Sequence, residues 1–336
     1  FVDLLSIVSS KNLPNNTKYI FKDKSLIYKL LTKKILRPIF YLVIFFNYIK
    51  PIFNFDTIVA FGELPIFCSY LNILIYKKLF NLKKKKFISS FRNHPSTISK
   101  YKQYLLVKVF ESFDINTTNS SIATNFFKDR YKIKNIQTLY NPLPFEKKSQ
   151  NEKFNSSSTI NLLSVSRLEK QKNINLLIKS FHQIKLNSDS PYSFKLHIIG
   201  YGSQHRVLAN YVKKNNLKNN ITFYGKLSQE EVMKMYKFAD LFVHCSKWDG
   251  IPNTVLESLY FNLPVIAYSS KISGIIDLLN FGAPISLFQT ESEYDLSNEI
   301  ITYVKDFNAN RFNKKNQIFI NNYRKKSSIL NLIDVK

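Results

Sequence analysis

The chain has 336 residues, and its 49 Lys and Arg against 23 Asp and Glu give a formal net charge of +26. That length can bury a large core and suits two domains of ordinary size, while an apolar fraction of 45% excludes disorder as the main state. Two distant cysteines, Cys68 and Cys245, and five histidines in no ligand spacing offer neither a disulfide framework nor a zinc pattern.

From the amino terminus, a strand is expected at 3–8, a helix at 26–50 broken near Pro38, and a short buried strand at 57–61. The longest apolar run, 39–46, is too short to span a bilayer. A lysine tract at 83–86 precedes a strand at 87–91, which ends in the polar turn Arg92-Asn93-His94-Pro95-Ser96 before a helix reaching about Glu111. Open α/β sheets place function at such strand ends, which makes Arg92, Asn93 and His94 candidates; a structural turn explains them equally well. A strand at 115–118, a helix at 121–131 and a strand at 136–140 complete another unit. Residues 1–145 thus read as one domain, and 146–158, rich in Lys, Asn and Ser, as a linker.

Beyond it the alternation is plainer. Strands at 160–165, 195–199, 221–223, 241–244 and 265–267 are separated by helices starting near Asn173, Gln204, Gln229 and Asn253. This spacing predicts an α/β fold with a parallel sheet covered on both faces over 159–310, and 311–336 belongs to a helical tail running from about Ser292 to Leu332. Two such domains around a cleft follow as the architecture.

Four loops then fall on one sheet edge. After the first strand, Arg167 and Lys172 suit a pair of cations gripping a diphosphate; in so basic a chain a solvated surface explains them equally well on position alone. Gly200-Tyr201-Gly202 allows close backbone approach, but His205 stands where a dinucleotide fingerprint needs a third glycine. Gly225 and Lys226 end the third strand. The fourth loop is Ser246-Lys-Trp-Asp-Gly-Ile-Pro-Asn-Thr-Val-Leu-Glu257, a strand-to-helix crossing in which Gly250, Ile251 and Pro252 form the turn, Asn253 can cap the helix, and the amides of the first turn, Thr254 included, face an anion. Asp249 and Glu257 bracket this turn and suit sugar or ribose hydroxyls. On this stretch alone, acidic residues offsetting a helix dipole are an equal explanation. No DxD motif and no GxxxxGK[ST] occurs, so the expected anion is held by amides, Arg and Lys, with no metal and no cofactor.

The motifs Ser-Arg-Leu-Glu-Lys-Gln-Lys-Asn (166–173), Ile-Gly-Tyr-Gly-Ser (199–203), Phe-Tyr-Gly (223–225), Ala-Asp-Leu-Phe-Val (239–243), the 246–257 stretch and Leu-Pro-Val-Ile-Ala (263–267), in that order, resemble the GT-B glycosyltransferases of family 4. Residues 92–96 and Tyr140-Asn141-Pro142 are similar to the amino-terminal domain of bacterial members that build surface polysaccharides. The resemblance implies two Rossmann-like domains and retaining, metal-independent transfer from a UDP- or GDP-sugar to a lipid-linked, lipopolysaccharide or capsule acceptor. It assigns Arg167 and Lys172 to the diphosphate, Glu257 to the ribose and Asp249 to the donor sugar, one methylene short of the usual glutamate. Asp277 likewise replaces a glutamate, and Asn262 a glycine that ends the helix. The glycine-rich loop with which such enzymes open is expected to lie before Phe1.

The positive charge reads either as coding bias, since Lys, Asn, Ile, Phe and Tyr are abundant together, or as attraction to polyanions. Without a nucleic-acid-binding signature, an anionic membrane surface is the expected partner, on the inner face of the plasma membrane and reached from the cytoplasm. The alternatives are a nucleotide-sugar epimerase of the same fold and a non-catalytic basic module that binds membrane or RNA.

Overall fold

A computed structural model of the chain describes residues 57–63, 65–67, 69–70, 73–74, 86–143, 159–186 and 191–327. The strand expected at 3–8, the helix at 26–50 with its apolar run, Cys68, Lys83 to Lys85 and the linker 146–158 lie outside them. The chain divides into two compact units, Phe1–Leu139 and Tyr140–Lys336.

In the first unit, β1 (Thr57–Phe61), β2 (Lys86–Phe91), β3 (Ile115–Thr118) and β4 (Ile136–Thr138) form a parallel sheet in that order. Helix α1 (Lys100–Phe110) joins β2 to β3 and α2 (Ser121–Tyr131) joins β3 to β4, each started by a serine, Ser99 or Ser120, whose hydroxyl accepts an amide hydrogen bond three residues on. Leu106, Phe110 and Phe127 from these helices pack with Phe87 and Phe91 of β2. The sheet interior is unusually polar: Ser89 donates to Asn116 and Thr117 to Ser90, so the buried hydroxyls satisfy one another. The last strand stops at Thr138, short of the expected Tyr140, which belongs to the second unit.

The second unit holds six parallel strands: β5 (Thr159–Val165), β6 (Ser193–Ile199), β7 (Ile221–Gly225), β8 (Leu241–His244), β9 (Val265–Tyr268) and β10 (Ile285–Phe288). Their spatial order is β10-β9-β8-β5-β6-β7, so strand order reverses between β5 and β8. The chain winds outward in both directions from that point, which opens a crevice beyond the carboxyl ends of β5 and β8.

Alternate side chains build two cores. Leu162, Ile198, Val243 and Ile266 lie under α3 (Ile174–Leu186), α4 (His205–Lys214) and α8 (Glu293–Asp306). Their neighbours Leu163, Ile199, Phe242 and Val265 lie under α5 (Gln229–Phe238), α6 (Asn253–Tyr260), α7 (Ile275–Asn280) and α9 (Ala309–Lys326). This two-faced burial is why the strands read as continuous apolar runs. Among the described residues, no helix is long and apolar enough to cross a membrane.

The carboxyl-terminal elements depart from the sequence expectation. The single helical tail is two helices, because Phe307 turns extended and Asn308 caps a new helix by accepting the Arg311 amide. The edge strand β10 and the short α7 before it were not expected; β10 is only four residues long and half-buried, with no strong apolar run to mark it. Asn262 ends α6 with φ +58°, the left-handed conformation that Asn tolerates.

Candidate active site

The four loops expected on one edge do share it, since β5, β6, β7 and β8 are mutually parallel. The loop after β5 is fixed by its neighbour. Leu168 is fully buried, its amide bonds to the Tyr201 carbonyl, and its own carbonyl accepts from Gln204. Gly200, at φ +135°, lies so close that an added Cβ would stand 1.8 Å from the Ser166 carbonyl oxygen; at Gly202 it would stand 2.5 Å from that of Leu168. The close approach these glycines allow is therefore to the 166–168 backbone. Ser203 donates its hydroxyl and amide to Glu169, which together with Arg167 hold that carboxyl below its usual range. Arg167 itself is exposed, as is Lys226 beyond Gly225.

Lys172 ends a 3-10 turn, Lys170–Lys172, just before α3 and reaches across the switch point. Its Nζ lies 2.6 Å from Asp249 Oδ1, with both side chains about 15% exposed. Gln171 ties the same two loops together by donating to the Trp248 carbonyl at 2.6 Å. On the other side of the carboxylate, His244 Nε2 stands 3.2 Å from Oδ2, near enough for an ion pair. Burial pushes the Asp249 carboxyl up, and Lys172 and His244 more than reverse this, holding it at about 2. The predicted cation pair is thus unequal in this structure: Arg167 faces solvent, while Lys172 is neutralised by the carboxylate assigned to the donor sugar.

Beyond Asp249 the chain turns through Gly250, Ile251 and Pro252, all buried. Gly274 packs against this turn, and its amide donates to the Asp249 carbonyl. The N-cap of α6 is Pro252, not Asn253 as expected. The reason is a competing partner: Asn141 donates its side-chain amide to both the Ile251 carbonyl and Asn253 Oδ1, so the Asn253 side chain is spent before it can fold back on the helix. Amides of Val255 and Leu256 both reach the Pro252 carbonyl. Thr254 lies in the first turn and is half-buried.

Glu257, one turn into α6, is also half-buried, and its Oε2 accepts from the hydroxyl of the fully buried Tyr236 at 2.7 Å. Burial raises the Glu257 carboxyl, and Tyr236 offsets part of that rise. Asp277 is buried in α7 and takes the Tyr140 hydroxyl; burial and this carboxylate push Tyr140 up to about 12. Tyr140 and Asn141, the latter held through its carbonyl by Tyr323, therefore belong to the same structure as the site.

Arg92, Asn93 and His94 lie in the first unit, at the end of β2. Arg92 donates to the Leu139 carbonyl and stacks over Phe61. His94 is buried, starts the short turn at Pro95 by accepting the Ser96 amide, and has its titration lowered by burial. Sequence reasoning did not single out His244, Tyr236 or Gln171. A polar residue at the carboxyl end of a buried strand is a readable signal for His244; Tyr236 sits in an ordinary amphipathic helix and carries none.

Two parallel α/β sheets, the second reversing strand order beside a buried Lys172–Asp249 pair, make this a GT-B architecture. The chain belongs to the glycosyl transferases group 1, whose family model matches residues 145–326. It is 32% identical over 226 residues to an uncharacterized glycosyltransferase, MJ1059, of Methanocaldococcus jannaschii, covering 60% of this chain and 53% of that protein. It is 28% identical over 177 residues, 52% of this chain and 47% of the relative, to a Campylobacter jejuni alpha-1,4-N-acetyl-D-galactosaminyltransferase named for a diNAcBac-PP-undecaprenol-linked glycan. These matches span about half the length of each relative. Among solved structures, Anabaena Alr3699/HepE in complex with UDP superposes with a TM-score of 0.64 at 15% identity, covering 86% of this chain and 79% of that one, and thereby shares the fold.

Proposed function

We propose that the protein transfers a sugar, with retention, from a nucleotide diphosphate sugar to a lipid-linked or polysaccharide acceptor, without a metal. The observation that carries this reading is the Lys172–Asp249 pair set across the strand-order reversal of the second sheet, with Arg167 and Glu257 on the same edge. Arg167 and Lys172 are the cations that meet the diphosphate and stabilise it as the glycosidic bond breaks, through electrostatic preorganisation of the kind that dominates such chemistry. The chain supplies this positive charge itself. Oε1 of Glu257 takes the ribose hydroxyls and Asp249 the donor sugar, while Gly250, Ile251, Pro252, Asn253, Thr254, Gly202 and Lys226 line the same loops. Arg92, Asn93 and His94, at a strand end of the first unit, are assigned to the acceptor side.

The donor class is supported by HepE, whose structure holds UDP, and the acceptor class by the Campylobacter enzyme, whose name specifies an undecaprenol-linked glycan. The excess of basic residues supports residence at an anionic membrane face, on the cytoplasmic side. The test is a panel of UDP- and GDP-sugars. A true donor at a hundred times its dissociation constant adds about 2.7 kcal/mol to stability, and radiolabel from it should appear in an extractable lipid-linked product. A panel with neither stabilisation nor transfer would sink the assignment.

A further inference from the structure

Two consecutive helices of the second unit carry opposite charge. Helix α8 has four carboxylates, Glu293, Asp295, Glu299 and Asp306, against Lys305, whereas α9 has six cations and no carboxylate. An even bias in composition would load both alike. The six, Arg311, Lys314, Lys315, Arg324, Lys325 and Lys326, are all exposed, and none makes an ion pair among the described residues. Arg311 also stands at the positive end of the helix dipole and one turn from Lys315, where like charges repel. No ion pair among the described residues offsets this local cost.

The helical period sorts these residues by side. Phe312, Phe319, Ile320 and Tyr323 pack into the second core, and Asn316 donates to the Leu259 carbonyl and to Asn262, so α9 is fixed by one side and presents the other. Arg311, Lys314, Lys315 and Lys325 share that outward side. At its centre, two turns from Arg311 and two from Lys325, stands Ile318, 54% exposed. We propose that the outward face of α9 is a docking surface for an anionic phospholipid membrane, its cations meeting headgroup phosphates and Ile318 entering between the headgroups. The proposal deepens the membrane residence inferred above and rests on it. A nucleic acid would meet the same cations, but α9 exposes no aromatic ring on which a base could stack. An apolar side chain in the middle of the face is desolvated by lipid and not by a phosphate backbone.

The test is flotation of the full chain with vesicles of equal parts phosphatidylglycerol and phosphatidylcholine, and with vesicles of phosphatidylcholine alone, without any sugar nucleotide. Wild type should bind the first and not the second. A cation near an anionic surface contributes roughly fivefold, so Lys314→Gln, Lys315→Gln and Lys325→Gln combined should weaken binding on the order of a hundredfold. Gln matches Lys in helix propensity, so the melting curve should stay unchanged. A control triple, Lys213→Gln, Lys214→Gln and Lys218→Gln, removes the same charge from exposed positions on and after α4 and should weaken binding by less than about fivefold, since charges away from the contact are screened. Ile318→Ser should weaken vesicle binding with no change in net charge. Equal losses in the two triple variants, or none in the α9 triple, would overturn the docking face while leaving membrane residence standing. An RNA duplex bound more tightly than the vesicles, through the same α9 cations, would assign the face to nucleic acid and overturn it as well. Wild type that ignores both vesicles would overturn the face and the membrane residence together; the sugar-transfer assignment is read separately, by the donor panel.

Discussion

The hydroxyl of Tyr236 reaches out of the core to donate to Glu257 Oε2 at 2.7 Å. Tyr236 is fully buried, with its ring stacked on Phe261 at 5.8 Å, so the hydroxyl has one fixed direction. Burial first, and then Glu257, push Tyr236 well above its ordinary value, so it donates and does not ionise. Tyr236→Phe should therefore leave the packing in place and release one oxygen of Glu257. A hydrogen bond to a charged group contributes about 1.5 to 3 kcal/mol, so nucleotide affinity should fall roughly tenfold or more, with a still higher titration of Glu257. Calorimetry with UDP and GDP reads this directly; wild-type affinity in the variant would remove Tyr236 from the site.

Arg167 and Lys172 should separate in their effects on stability. Arg167 is exposed, and Arg167→Ala should change stability by less than about 0.5 kcal/mol while transfer is nearly lost. Lys172→Met strands a buried carboxylate and should cost about 3 kcal/mol, most of which Asp249→Asn in the same chain should restore. Urea denaturation of the two single variants and the double variant gives the coupling energy, and simple additivity would show that the pair does not act as one unit.

Most of this arrangement was legible before the structure because it is written in local pattern. The runs around Leu162, Ile198 and Val243 mark doubly buried strands, and the breaks after each place Arg167, Gly202, Lys226 and Asp249 on one edge. What could not be read is carried by distant partners. Asn253 has the chemistry of a cap, yet Asn141, 112 positions away, takes its oxygen and leaves Pro252 at the helix start. Lys172 has the position of a phosphate ligand, but its engagement by Asp249 depends on which strands lie side by side. The short edge strand β10 lacks the apolar run that marked the others.

The glycines of the site should differ sharply in tolerance. At Gly200 a methyl group meets the Ser166 carbonyl carbon at 2.8 Å as well as its oxygen at 1.8 Å, and the φ of +135° is closed to other residues. Gly200→Ala should cost upward of about 3 kcal/mol, as overpacking and backbone strain add. Gly225, at φ +66° with nothing within 4 Å of an added Cβ, should lose only about 1 kcal/mol on the same change. Thermal melts of the two variants test the contrast, and equal losses would show that the 166–168 backbone gives way.

Acid should dismantle the Lys172–Asp249 pair in a defined window. The Asp249 carboxyl is held at about 2 against an ordinary 3.8, so between those values the unfolded chain binds more protons than the folded one. Stability from this group is therefore fully present above about pH 4 and lost as pH falls through about 2; the shift corresponds to about 2 kcal/mol. Asp249→Asn removes the titrating group and should flatten that part of the curve, even though it starts from a lower stability because Lys172 is then buried without its partner. The measurement is urea denaturation of both proteins across pH 5 to 2, the range over which a paired aspartate typically loses its contribution. If the two curves fall in parallel, the acid sensitivity belongs to other carboxylates, and Lys172 is not what holds Asp249 ionised.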